Sequence, residues 1–193
     1  MVSRDYIEIR IHGRGGQGGW TASRILAEAA LIAGKYAQSF PEFGPERSGA
    51  PVTSYARIGD SRIDIHSGIY EADVVIVLDP TLVEHAAKDY RDGAVFVFPT
   101  KESAKEAIEI LGDGNYSVWG VEAVKISVEA FGRGITNTTM LGAFVKATGE
   151  KYLKLEHILK ATENVLGARL GEAIVKKNFE AIQRAFNETE KLK

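Results

Sequence analysis

Gly13, Gly15 and Gly18 stand at G-x-G-x-x-G spacing inside IRIHGRGGQGG, with Gly16 and Gly19 beside them. Glycine at such positions permits positive φ and lets the backbone approach a bound group closely. A helix starting just beyond would offer free N–H groups and partial positive charge to an anion. Arg14 and Gln17 add a guanidinium and a carboxamide that plain packing of strand on helix does not require. The turn therefore has the chemistry of a phosphate site or of a subunit contact, while its glycines would equally serve close packing alone. A dinucleotide site asks for one thing more, an acid at the end of the second strand to hold the ribose hydroxyls. Glu42 is the acid in range, but it follows Pro41 inside a proline-rich loop rather than closing a clean strand.

Other residues with reactive side chains form weaker patterns. Gly112-Asp113-Gly114 followed by Asn137 has the residue types that hold Mg²⁺ against a diphosphate in thiamine diphosphate enzymes. The separation is short, however, and Thr138 stands where a second Asn is expected, so residues 112–115 read as a helix stop and turn. His12, His66, His85 and His157 have no metal-ligand spacing and read as structural. Asp79 before Pro80 reads as an N-cap, and Thr136, Asn137 or Thr138 as the capped start of a helix in which Gly142 allows close packing. No residue is assigned as catalytic or as a metal ligand.

Composition narrows the classes. The 193 residues are 45% hydrophobic, enough for one substantial core and few for two domains. Twenty-four basic against 26 acidic residues give a net charge of −2, without the basic excess of a nucleic-acid binder. No apolar run reaches the length of a membrane helix, and MVSRDYIEIR is unlike a signal peptide, so the expected setting is the cytoplasm. The sequence has no cysteine, which removes disulfides, thiolate nucleophiles and thiolate ligands for an iron-sulfur cluster.

The elements that must position the glycine turn follow from periodicity. YIEIRIH alternates apolar and polar as a strand with unlike faces, and the stretch from Thr21 to Gly34 is an amphipathic helix. SFPEFGPERSGAP, residues 39–51, holds three of the five prolines and reads as a loop. VTSYARI and SRIDIH around Gly59-Asp60 suggest an antiparallel hairpin. ADVVIVLDP and GAVFVFP are buried strands, with a helix from about Thr81 to Lys88 between them. KESAKEAIEILGDG is a helix, YSVWGVEAVKI one or two short strand pieces, and 136–148 and 153–190 are helical. The expected fold is a single Rossmann-like α/β layered domain over 1–193, with a mostly parallel, mixed sheet, an antiparallel hairpin and a helical C-terminal third.

GRGGQGG, PEFGPERSGAPV with YARI after it, VVIVLDP and NTTMLGAF together resemble the gamma subunit of the pyruvate (or 2-oxoisovalerate) ferredoxin oxidoreductases across nearly the whole chain. The pairing of the glycine turn with P-E-F-G-P-E-R-x-G-A-P is the restrictive part. The resemblance implies a subunit of an enzyme that turns a 2-oxoacid, coenzyme A and oxidised ferredoxin into acyl-CoA, CO₂ and reduced ferredoxin. It implies thiamine diphosphate, Mg²⁺ and [4Fe-4S] clusters on sister alpha, beta and delta-type subunits, none held by this chain alone, and an isolated chain without activity. The absence of cysteine agrees with that division. Gly13, Arg14, Gly15, Gly16, Gln17, Gly18, Glu42, Arg47 and Asn137 are then the candidate coenzyme A or interface residues, with Glu46 in the same loop. Two alternatives are a standalone nucleotide-binding oxidoreductase, which would bind NAD(P) or FAD unaided, and a non-catalytic scaffold module.

Overall fold

The computed structural model describes residues 4–42 and 48–193. Strand β1 (Tyr6–Arg14) places Ile7, Ile9 and Ile11 on one face and Glu8, Arg10 and His12 on the other, and both faces are buried. Helix α1 (Gly19–Ile32) returns over the isoleucine face, burying Ala22, Ile25, Leu26, Ala29 and Ala30. β2 (Tyr36–Pro41) and β3 (Pro51–Gly59) pair antiparallel, Phe40 opposite Tyr55, and β3 also pairs antiparallel with β1. β4 (Ala72–Val77) runs parallel to β1 on its other side. A single 3₁₀ turn (Pro80–Leu82), α2 (Val83–Ala86), β5 (Tyr90–Phe98), α3 (Lys101–Leu111) and β6 (Tyr116–Gly120) continue the alternation. The C-terminal part is helical: α4 (Ala123–Phe131), α5 (Thr139–Ala147), α6 (Leu155–Leu170) and α7 (Glu172–Glu188), before the short β7 (Glu190–Lys191).

Among the described residues the sheet is mixed, in the order β2-β3-β1-β4-β5-β6-β7, with three parallel pairings from β1 through β6 and three antiparallel ones. Two apolar cores flank it. One joins Ile9, Ile11 and Val97 to α1 and the C-terminal helices, and the other joins Val75, Phe96 and Phe98 to α2 and α3. α5 crosses α7 so closely that a Cβ on Gly142 would lie 2.0 Å from the Ile182 carbonyl oxygen, the close packing expected of that glycine.

Two expectations are corrected. The antiparallel hairpin is β2–β3 across the proline-rich loop, and Gly59-Asp60 joins no strands, because β3 already has β2 and β1 on its two edges. SRIDIH instead crosses the polar face of the sheet in irregular form, where Arg57 donates to the Ser67 carbonyl (2.7 Å) and Gln38 to that of Ile63 (3.0 Å). VEAVKI is the start of α4, not strand: Val121 ends the extended stretch, and the α4 side chains Ala123 and Ile126 turn into the larger core. Residues 153–190 are helical as expected, in two helices that Gly171, at φ +78, separates.

Candidate functional site

α1 leaves the C-terminal end of β1 over one face of the sheet, and α2 follows β4 over the other. β1 and β4 are neighbours, so the chain departs in opposite directions from adjacent strands. This is the switch point at which open α/β sheets form their binding crevices. The glycine turn and the Leu78-Asp79-Pro80 corner border that crevice.

The turn is held by side chains of its own sequence. The Arg14 N–H donates to Gln17 Oε1 at 2.7 Å, and Gln17 Nε2 donates to Asp79 Oδ2 at 2.6 Å. The Arg14 guanidinium lies 3.3 Å from the same Asp79 oxygen through Nε, and donates to Thr81 Oγ1 (2.7 Å) and the Gly49 carbonyl (3.1 Å). Asp79 also caps the 3₁₀ turn, accepting from the Thr81 N–H at 3.0 Å and its hydroxyl at 2.6 Å. Burial alone would raise the Asp79 carboxyl. Hydrogen bonds from Thr81 and Gln17, with the Arg14 charge, outweigh it and hold the group below its ordinary range.

The main chain of the turn is also partly committed. Gly15 N–H donates to Ala50 O at 2.8 Å, and Gly49 N–H donates to Gly15 O at 3.1 Å, so the far end of the proline-rich loop is clipped onto the turn. What stays open is the start of α1, which has neither a side-chain cap nor an acidic residue in its first turn. Gly18 takes φ +82 there, and a Cβ on it would lie 2.3 Å from the Asn137 amide, whose Nδ2 donates to Gly18 O at 3.4 Å. Thr136 ties the same C-terminal segment to the crevice by donating to Leu78 O at 2.8 Å.

The structure thus brings Gly13, Arg14, Gly15, Gly16, Gln17, Gly18 and Asn137 to one place. Glu42 belongs elsewhere: its N–H pairs with Thr53 O at 2.9 Å, and its carboxylate neighbours the Tyr55 phenol, which burial first and then that charge push up. β2 points the same way as β1 but lies two strands away, about 10 Å, with β3 between them. An acid following β2 is therefore displaced from the place a ribose would need. Arg47 lies outside the described residues.

Asp79 is the residue whose full part sequence reasoning missed. It is the expected cap, but it is also the carboxylate that organises the turn, and its position at the end of a buried strand was the signal available. Asn137 Oδ1 accepts from its neighbour Thr138 N–H at 2.8 Å, and Asp113 is exposed in the turn after α3, so each has the local role of a cap or a turn residue. Among the described residues no group of three or more His, Asp or Glu side chains is placed to hold a metal ion, and no helix is long and apolar enough to cross a membrane.

Comparison with known proteins gives a consistent result. The family model for pyruvate ferredoxin/flavodoxin oxidoreductase matches residues 8–188. The pyruvate/ketoisovalerate oxidoreductases common subunit gamma of Thermococcus kodakarensis is 46% identical over 185 residues, covering 95% of this chain and 97% of that protein. The crystal structure of the pyruvate oxidoreductase subunit PORC from Thermotoga maritima superimposes with a TM-score of 0.83 at 36% identity, covering 98% of this chain and all of that one. The keto/oxoacid ferredoxin oxidoreductase gamma subunit of Geobacter sulfurreducens follows with a TM-score of 0.76 at 29% identity, covering 96% and 97%.

Proposed function

This chain belongs to the pyruvate ferredoxin/flavodoxin oxidoreductase family as a gamma-type subunit, and we propose that its own part in the assembled enzyme is positional: its glycine turn holds the proline-rich loop against sister subunits and helps seat coenzyme A. The observation that carries this reading is the clip formed by Gly15 with Gly49 and Ala50 and locked by Arg14, Gln17 and Asp79. A glycine turn built only for a phosphate would not commit these groups to a neighbouring loop. With Arg14 already beside a carboxylate, coenzyme A phosphates would draw on the uncapped start of α1 and the remaining donors of Arg14. Arg47 and Glu42 would present their charges from the loop, and Asn137 would steady the turn beneath.

The reaction of the whole enzyme is the conversion of pyruvate or a related 2-oxoacid, coenzyme A and oxidised ferredoxin to acyl-CoA, CO₂ and reduced ferredoxin. The Thermococcus relative is named as common to the pyruvate and ketoisovalerate enzymes, which suits a gamma chain that does not choose the 2-oxoacid. Thiamine diphosphate with Mg²⁺ would supply carbanion chemistry, and iron-sulfur clusters single-electron transfer, from the alpha, beta and delta-type partners. The residues here do not fit either group: a chain with no cysteine offers no thiolates, and the described acids and histidines form no metal set. Ferredoxin would meet the assembled enzyme, in the cytoplasm, rather than this chain.

The test is steady-state kinetics of the anaerobically assembled enzyme carrying Arg14→Ala. The reading expects KM for coenzyme A to rise severalfold while KM for pyruvate is unchanged. Unaltered coenzyme A kinetics, with assembly intact, would leave only the scaffold role. The standalone nucleotide-dependent oxidoreductase is not favoured, given the family and the displaced acid after β2.

A further inference from the structure

Among the described residues, one stretch of the sheet's face has no helix over it. α1 lies on the isoleucine side of β1, and α2 and α3 lie beyond β4, so the opposite side of β1, β3 and β2 is left to the irregular segment 61–71. Its side chains form rows: Glu8 beside Arg57 and Gln38, Arg10 beside Tyr55 and Phe40, and His12 beside Thr53. A cavity of about 1360 Å³ opens over these rows, with Leu82 and Ile69 adding apolar wall.

The first row is electrically closed. Arg57, almost wholly buried, pairs with Glu8 at 2.9 Å and donates to Gln38 Oε1 and to the Ser67 and Gly68 carbonyls, while Arg4 and Arg91 compensate Glu8 and Asp73. The second row is not. Arg10 is 7% exposed and makes no ion pair among the described residues; it reaches the Lys88 carbonyl and lies 3.5 Å from that of Tyr70, and its Nε has no partner. His12, 8% exposed in the next row, likewise has Nε2 without a partner among the described residues. A buried guanidinium without a carboxylate is costly and normally finds one. Glu42 and Asp89 lie exposed at the rim with Lys88; their charges favour the Arg10 guanidinium, but neither acid is within ion-pair distance of it, while Arg57 and Glu71 are answered by Glu8 and Arg91.

We propose that this cavity is a binding site for a small organic carboxylate, whose anionic end pairs with Arg10 and accepts from His12, and whose apolar body lies along Phe40 and Tyr55. The two rings are 5.2 Å apart and form one apolar wall, against which an apolar body packs better than a polar one. The site is distinct from the glycine turn, which has its own carboxylate in Asp79.

The test is a titration of the full chain with 3-methylbutanoate, compared with 3-methylbutanamide at equal ionic strength, following the Arg10 Nε–Hε resonance by NMR. The expected result is a saturable shift with the carboxylate, at least tenfold weaker with the amide and at least tenfold weaker in Arg10→Gln. An equal response to the amide, no saturable shift, or undiminished binding by a folded Arg10→Gln overturns the proposal. If Arg10→Gln fails to fold, the carboxylate and amide titrations of the unaltered chain decide alone. Binding by the isolated chain that is absent from the same resonance in the assembled enzyme would assign the cavity to a sister-subunit side chain, and also overturns it.

Discussion

Replacing Asp79 with alanine removes an acceptor on which four donors converge: Gln17 Nε2 at 2.6 Å, the Thr81 N–H and hydroxyl at 3.0 and 2.6 Å, and Arg14 Nε at 3.3 Å. Loss of the cap on the 3₁₀ turn costs about 1 kcal/mol. The half-buried Gln17 amide, left without its acceptor, costs roughly 1–2 kcal/mol. The Arg14 pair is partly exposed and adds only about 0.5 kcal/mol. The sum is about 3 kcal/mol, or roughly 6–12 °C in Tm for a chain of this size. Urea unfolding at neutral pH measures it. Because the folded carboxyl is held below its ordinary range, its stabilisation is complete above the unfolded value of 3.8 and is lost as pH falls through the lower folded value. The gap between wild type and Asp79→Ala therefore closes only in that acid window. A loss under about 1 kcal/mol at pH 7, or a gap that closes well above pH 4, would refute the argument that Asp79 organises the turn.

Three further outcomes follow from particular contacts. Gly142→Ala drives a methyl to 2.0 Å from the Ile182 carbonyl and should cost upwards of about 2 kcal/mol in chemical denaturation, by forcing α5 off α7. Gly18→Ala meets both a left-handed backbone (φ +82) and the Asn137 amide, and should cost about 1–3 kcal/mol, with Asn137→Ala in the same chain recovering part of it. Burial foremost, then the Arg10 and His85 charges, lower the His12 imidazole to about 3. A base whose folded value is depressed gives stability that is full above its unfolded value and is lost as pH falls, so below about pH 6.5 this residue should cost about 1.4 kcal/mol per pH unit. His12→Gln should flatten that part of the stability curve, and an NMR titration of His12 with a midpoint near 6 would contradict it.

Much of this arrangement could be read along the chain. The alternation in YIEIRIH, the glycine turn and the apolar strands gave the order of elements, because each depends on local period and local backbone preference. Pairing did not. SRIDIH has a strand's alternation, yet β3 had no free edge to offer it, and edge availability is a property of the whole sheet. Likewise the alternation in YIEIRIH shows Glu8, Arg10 and His12 as a polar face but not that this face is buried, because residues far along the chain fold across it. At the candidate site, Arg14, Gln17 and Asn137 were recognisable by type. The bond from Gln17 to Asp79 spans 62 residues and depends on β1 and β4 being neighbours, which no local pattern encodes.

The central claim is that this chain works as a positioning subunit and not alone. An anaerobic pull-down of the tagged chain from its native extract, with the visible spectrum and activity of the eluate, tests it most directly. The account predicts a brown eluate in which cluster-containing partners accompany the chain and pyruvate is oxidised only when coenzyme A is added. A colourless single protein that retains a nucleotide would contradict it.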